Sequence, residues 1–196
     1  ARTFGHEMDR SKTRLKNDQV QAPYFIEYRV NDVEEYSAEA TFGALRENQH
    51  THFRLLRVIV RIGDYKQDSF YGPAGQGEST ILPLDNDSIA LRHQIWLATD
   101  EAYKGAGQAL AEKQAELKRF TTDVNPVDDF AKSAPLIAVE PTVFLKLDET
   151  SWKRTLEDVT NLYRQYPDVQ SVTAYARFSA TNEYLVNTEG TVTRSG

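Results

Sequence analysis

The sequence predicts an α+β fold: a mainly antiparallel mixed sheet with two principal helices packed on one face, in the order meander, helix, then β-α-β-β. Two patterns predict it. Early stretches alternate apolar with polar residues, the period-two mark of half-buried strands. Later stretches place apolar residues every three or four positions, the mark of amphipathic helices. With 196 residues, the chain is long enough to bury about 70% of its unfolded surface. That length favours a single domain over 1–196, with 1–120 and 142–190 as possible sub-halves.

Residues 6–16 are charged and helix-compatible, with Met8 and Leu15 as their apolar positions, and Pro23 breaks the stretch. A strand is predicted over 24–30, where Tyr24, Ile26, Tyr28 and Val30 share a face; Asn31-Asp32 supplies turn chemistry after it. Residues 36–44 repeat the alternation with Tyr36, Ala38, Ala40, Phe42 and Ala44. The third strand, 50–62, carries Leu56, Val58, Val60 and Ile62 on one face and Phe53, Leu55, Arg57, Ile59 and Arg61 on the other. Three such strands read as an antiparallel meander with one wet face.

Gly63-Asp64 ends the meander. The stretch 63–87 reads as a long irregular connection, with Gly72, Gly75, Gly77, Pro73 and Pro83, and is a candidate contact loop. Asp85 or Asp87 is placed to cap a helix over 88–120, with Ile89, Trp96, Tyr103, Ala106, Leu110 and Leu117 near one stripe. Gly105 and Gly107 weaken that helix by roughly 1 kcal/mol each relative to Ala, marking a break or a close helix-on-sheet approach. Residues 121–141, with Pro126, Pro135 and Pro141, form a second linker. A strand over 142–147 follows, with Val143, Leu145 and Leu147 on one face. After Asp148 comes a helix with Trp152, Leu156, Val159, Tyr163 and Tyr166, stopped by Pro167. Two strands, 169–179 and 183–188, joined near Ala180-Thr181-Asn182, complete the pattern.

Composition narrows the function. A net charge of −6 and a pI near 5.3 give no footprint for phosphate charge, so no nucleic-acid partner is expected. No apolar run approaches the roughly 20 residues of a membrane helix, so a soluble protein with no membrane partner is expected. No basic-plus-apolar leader opens the chain at Ala1, which leaves the compartment open. With no Cys, disulfides, thiolate nucleophiles and Cys-based zinc sites are excluded.

No catalytic, cofactor-binding or metal residue emerges from the motifs. His6-Glu7 opens like a zinc-protease helix, but Arg10 and Ser11 stand where the second His belongs. His50 and His52 point to one face of a strand; even with Glu39 leaning in they read as a solvated pair, since zinc needs three or four ligands. His93, flanked by Arg92 and Gln94, reads as a surface residue. The loop Gly72-Pro73-Ala74-Gly75-Gln76-Gly77 lacks the Gly-Lys-Ser/Thr of a phosphate cradle, and Pro73 removes an N–H, so it reads as a flexible surface loop. Asp128-Asp129 reads as solvated. No Ser sits in a Gly-x-Ser-x-Gly elbow, and Arg54, Arg57 and Arg61 fall on both faces of one strand rather than forming a stripe.

Several segments, taken in order, carry a family resemblance. They are Tyr24-Phe25-Ile26-Glu27-Tyr28-Arg29-Val30, then Arg57-Val58-Ile59-Val60-Arg61-Ile62-Gly63-Asp64-Tyr65-Lys66, the helix opening over 85–103, and Tyr184-Leu185-Val186-Asn187-Thr188-Glu189-Gly190. Together they resemble the amino-terminal domain of the TldD/PmbA family, proposed zinc peptidases also called modulators of DNA gyrase. The family's first domain has this layout and closes on an Asn-Ser/Thr-x-Gly turn, matched by Asn187 to Gly190. The resemblance implies that the zinc ligands, a His-Glu-x-x-x-His helix and a distant Cys, belong to a carboxyl-terminal domain outside this chain. It implies no zinc or other cofactor in this chain, a catalytic partner domain, pairing as a homo- or hetero-dimer, a peptide substrate and a cytoplasmic setting. The expected function is thus a non-catalytic amino-terminal domain contributing to peptide admission and subunit pairing. The rival is a stand-alone binding or scaffold domain without enzymatic activity; a small hydrolase with an unrecognised carboxylate or His site ranks last.

Overall fold

The computed structural model describes residues 2–16, 20–119 and 127–196. The helices are α1 (Arg2–Arg14), α2 (Ser88–Leu117) and α3 (Glu149–Asn161). The strands are β1 (Phe25–Thr41), β2 (Ala44–Arg61), β3 (Glu78–Leu82), β4 (Ile137–Val139), β5 (Ala174–Asn187) and β6 (Val192–Ser195). They form one six-stranded sheet in the order β3-β2-β1-β5-β6-β4. β2–β3 and β5–β6 are antiparallel, and β4 runs parallel to β6. The fold is α+β with a mixed sheet, as the alternation and the helical stripes predict.

Strand lengths and turns differ from the sequence reading. β1 continues through Asn31-Asp32, because the Asp32 carboxylate is engaged across the strand by His52 Nε2 at 2.7 Å instead of folding a local turn. The chain reverses at Phe42-Gly43, both at positive φ (45° and 77°), the signature of a two-residue hairpin loop of the primed type. The meander is therefore β1-β2-β3, and its third strand lies inside the stretch expected to be irregular. No strand forms over 142–147. Val143 is held by one side chain, the Asn182 amide, which bonds both its N–H and its C=O at 2.8 Å. That use of Asn182 explains why β5 runs on through Ala180-Thr181-Asn182 without turning. The short β4 sits in the expected linker.

The chain folds into two compact units that interleave along the sequence. The first comprises Ala1–Asn31, Arg54–Pro141 and Glu183–Ser195. Its core joins Ile26, Tyr28 and Val30 of β1 and Leu56, Val58 and Val60 of β2 to one face of α2: Ile95, Ala98, Ala102, Tyr103, Ala106 and Leu110. Asp87 caps α2 by accepting the Ile89 N–H at 2.9 Å. Its buried stripe begins at Ile95, which leaves Ile89, Trp96 and Leu117 exposed. The helix passes through Gly105 and Gly107 unbroken. At Gly105 a Cβ would stand 2.6 Å from the Ala74 carbonyl oxygen, and at Gly107 it would stand 3.0 Å from the Val20 side chain. The close approach is thus to loops rather than to the sheet. On α1 the fully buried Glu7 carboxylate pairs with Arg92 (2.6 Å) and Arg10 (3.1 Å), fastening that helix to α2.

The second unit comprises Asp32–Phe53, Thr142–Asn182 and Gly196. Its smaller core is Tyr36, Ala38, Ala40, Leu156 and Ala176. Asp148 caps α3 through the Ser151 N–H at 3.0 Å, and a 3-10 turn over Leu162–Gln165 follows the helix before Pro167. Of the predicted stripe only Leu156 is buried; Trp152, Val159, Tyr163 and Tyr166 are exposed. Among the described residues no helix is long and apolar enough to cross a membrane.

The glycine loop is packed at Gly75, while Gly72, Pro73 and Gln76 are exposed. A 3-10 turn over Ala74–Gln76 seats it, Arg57 donates to the Gln76 carbonyl at 3.3 Å, and Gly75 lies buried against the Ser69 carbonyl and Ala109. Gly77 sits at φ 88°, where a Cβ would stand 2.2 Å from the Val58 carbonyl oxygen. Gly77→Ala is therefore expected to destabilise the protein by about 2 kcal/mol or more, read as a lower urea midpoint at unchanged slope.

Candidate functional site

One cluster of buried polar groups in the first unit, Asp68 and Ser69, lies just past the end of β2. After Gly63 the chain turns back on itself. Asp64 holds the bend by accepting the N–H groups of Lys66 (2.8 Å) and Gln67 (2.9 Å), bonds that pull its carboxyl below the usual range. The bend delivers Asp68, which is fully buried. Its carboxylate accepts from the Tyr24 hydroxyl (2.5 Å), the Arg61 guanidinium (3.2 Å) and the Phe70 N–H (2.6 Å), so the cost of burying the charge is offset by three donors.

Arg61 is held on its other side by aromatic rings. Its guanidinium carbon lies 3.6 Å above the centre of Phe130, with Phe70 at 5.3 Å and Phe25 at 5.7 Å. A stacked guanidinium keeps its edge for hydrogen bonding while its face is covered by carbon, a geometry Lys cannot reproduce. Phe130 is positioned by its N–H on the Tyr65 carbonyl at 3.0 Å. Its neighbour Asp129 accepts from the Asp68 N–H at 2.6 Å and from the Lys113 ammonium, which also donates to the Asp68 carbonyl at 3.1 Å.

The turn between β5 and β6 closes the site. Asn187 Oδ1 accepts the N–H groups of Glu189 and Thr191, both at 3.0 Å. Thr188 docks on β1 by two bonds to Ile26, at 3.0 and 3.1 Å. These contacts place the Glu189 carboxylate on the Tyr65 hydroxyl, which donates to it. The Tyr24 and Tyr65 rings meet at 5.1 Å with 59° between their planes. The result is a cleft of about 190 Å³, lined by Tyr24, Phe25, Tyr65 and Phe130 together with Arg61 and Glu189. Asp68 itself is committed to its three donors beneath this cleft.

The other predicted residues lie elsewhere. His50 and His52 are exposed on β2 and do not converge: His50 pairs with Glu149 and His52 with Asp32, each at 2.7 Å. His93 is exposed on α2 beside Arg92. The His6 side chain lies outside the described residues. Asp129 is exposed and also binds Lys113 and the Asp68 backbone. Arg54 reaches Asn86 at 3.2 Å, apart from Arg61. No group of three or more His, Cys, Asp or Glu side chains able to hold a metal occurs among the described residues. The spacing of residues does not reveal Asp68 or Phe130 as site residues; each lies in a connection, and only the folded chain sets them on Arg61.

No family model matches the sequence, and no curated protein matches it. Solved structures do. TldE from Thermococcus kodakarensis aligns at a TM-score of 0.47 and 12% identity, covering 98% of this chain and 36% of that one. A proposed modulator of a DNA gyrase from Thermotoga maritima aligns at 0.47 and 12%, covering 98% and 37%. A proposed modulator of DNA gyrase from Bacteroides thetaiotaomicron aligns at 0.46 and 10%, covering 99% and 38%. The chain thus spans a little over a third of the length of these proteins.

The network makes two predictions. Arg61→Ala leaves Asp68 buried without its cation and is expected to cost about 3–5 kcal/mol, whereas Arg61→Lys restores charge without the stacked plane and recovers only part; denaturant titration of both variants measures this. The second concerns alkaline pH. Burial, followed by the bond to Asp68, raises the pKa of Tyr24 far above the ordinary tyrosine value, and burial likewise raises Tyr28 and Tyr36. A folded-state pKa above the unfolded one means the folded chain keeps the proton longer. The associated stability is complete below about pH 10 and is lost as pH rises from there toward the folded values. Tyrosinate absorbance should accordingly lag in the folded protein and appear together with unfolding; free titration of all tyrosines before unfolding would contradict the network.

Proposed function

We propose that this chain is a non-catalytic amino-terminal domain of a larger TldD/PmbA-like zinc metallopeptidase, acting in the cytoplasm to admit peptide and to pair subunits while a second domain holds zinc and hydrolyses. The observation that carries the reading is convergence. The segments 24–30, 57–66 and 184–190, which bear the sequence resemblance, supply Tyr24, Arg61, Tyr65 and Glu189 to one cleft suited to binding. A sheet edge adds to it. β3 ends the strand order with Ile81 well exposed, and an extended peptide can pair with such an edge through backbone bonds with little demand on sequence. At the opposite end of that order, β4 exposes Ile137 and Val139, apolar surface of the kind subunits cover on pairing.

The chain by itself is expected to bind unstructured peptide without cleaving it and to carry no stoichiometric zinc. Metal analysis together with a peptide-cleavage assay on the purified chain tests this. Tight zinc with turnover would overturn the non-catalytic assignment, and the absence of any peptide binding would remove the admission role.

A further inference from the structure

Glu189 is the feature of the cleft that the network does not use up. Arg61 and Asp68 neutralise one another, and Lys113 and Asp129 do the same behind them. Among the described residues Glu189 forms no salt bridge; its partner is the neutral Tyr65 hydroxyl. Its position is nonetheless fixed, because Asn187 and Thr188 lock the turn that carries it. The tilted Tyr24 and Tyr65 rings and Phe25 line the same space. A carboxylate in a cleft lined by aromatic rings attracts a cation by charge, and a ring face turned to that cation would add the attraction of its quadrupole. Ser133, also on the wall, offers a hydroxyl acceptor to an N–H donor.

We infer that the cleft walled by Tyr24, Tyr65 and Glu189 binds a primary ammonium group, namely the free amino terminus of a peptide. The inference rests on the peptide-admission reading and names the part of the peptide that this site grips. The ammonium donates to the Glu189 carboxylate and to Ser133, while the tyrosine rings cover the adjoining backbone. Arg61 is already turned onto Asp68 and Phe130, so the opposite end of a peptide, its carboxylate, finds its cation engaged.

The test is a titration of the full chain, followed by tyrosine fluorescence, with three short Ala/Gly peptides: free amine with amidated carboxyl end, both ends blocked, and acetylated amine with free carboxylate. The first should bind, acetylation should weaken binding roughly tenfold or more, and Glu189→Gln should produce a loss of similar order. This substitution keeps an acceptor for Tyr65 and so preserves the turn, while Glu112→Gln on α2, distant in sequence and exposed, serves as a control that changes nothing. Equal binding of blocked and free-amine peptides would overturn the ammonium site while leaving peptide admission intact. Preference for the free carboxylate would overturn it in favour of recognition by Arg61. Failure of all three to bind would overturn both this inference and the reading beneath it.

Discussion

A buried carboxylate governs the first unit. Asp68 lies out of water, and an ionised carboxylate there is tolerable only while donors surround it. Tyr24, Arg61 and Phe70 supply those donors from three separate stretches of chain. Because each donor has one geometry that satisfies Asp68, the start of β1, the end of β2 and the returning loop are set relative to one another. Arg61 then transmits the constraint to Phe130, which rides on its guanidinium, and Lys113 carries it to α2 through Asp129 and the Asp68 carbonyl. The cleft is the surface of this network rather than a separate construction.

Close backbone approach is the second constraint. Gly77 lies against the Val58 carbonyl and Gly105 against that of Ala74, so the glycine loop is pinned between β2 and α2. Ala98, Ala102, Ala106 and Ala109 are buried along the same helix, and Ala109 lies against Gly75 of that loop. Glycine here serves packing.

In the second unit side-chain amides and hydroxyls do work that regular structure does elsewhere. Asn182 stands in for a strand partner at Val143, and Thr160 of α3 accepts the Gly43 N–H at 2.9 Å, tying the helix to the β1–β2 hairpin loop. The Trp152 ring meets Phe178 at 4.8 Å and Leu156 is buried, while Val159, Tyr163 and Tyr166 are exposed. Periodicity located the helix correctly but misjudged which of its residues would be covered.

Local pattern determined what local physics controls. The alternation over 24–30 and 50–62, the cap at Asp87 and the helical period of α2 and α3 depend on neighbours within a turn or two, so they are legible in the order of residues. The Asn187-Thr188-Glu189-Gly190 turn was visible for the same reason. Tertiary structure decided where Asn31-Asp32 and Ala180-Thr181-Asn182 would not turn, because His52 and Val143, distant along the chain, took up the side chains that would have made those turns. It also decided the site. Nothing in the spacing of Tyr24, Arg61, Asp68 and Phe130 reveals that one buried charge needs them all, since that demand arises only when folding removes the water that would otherwise satisfy it.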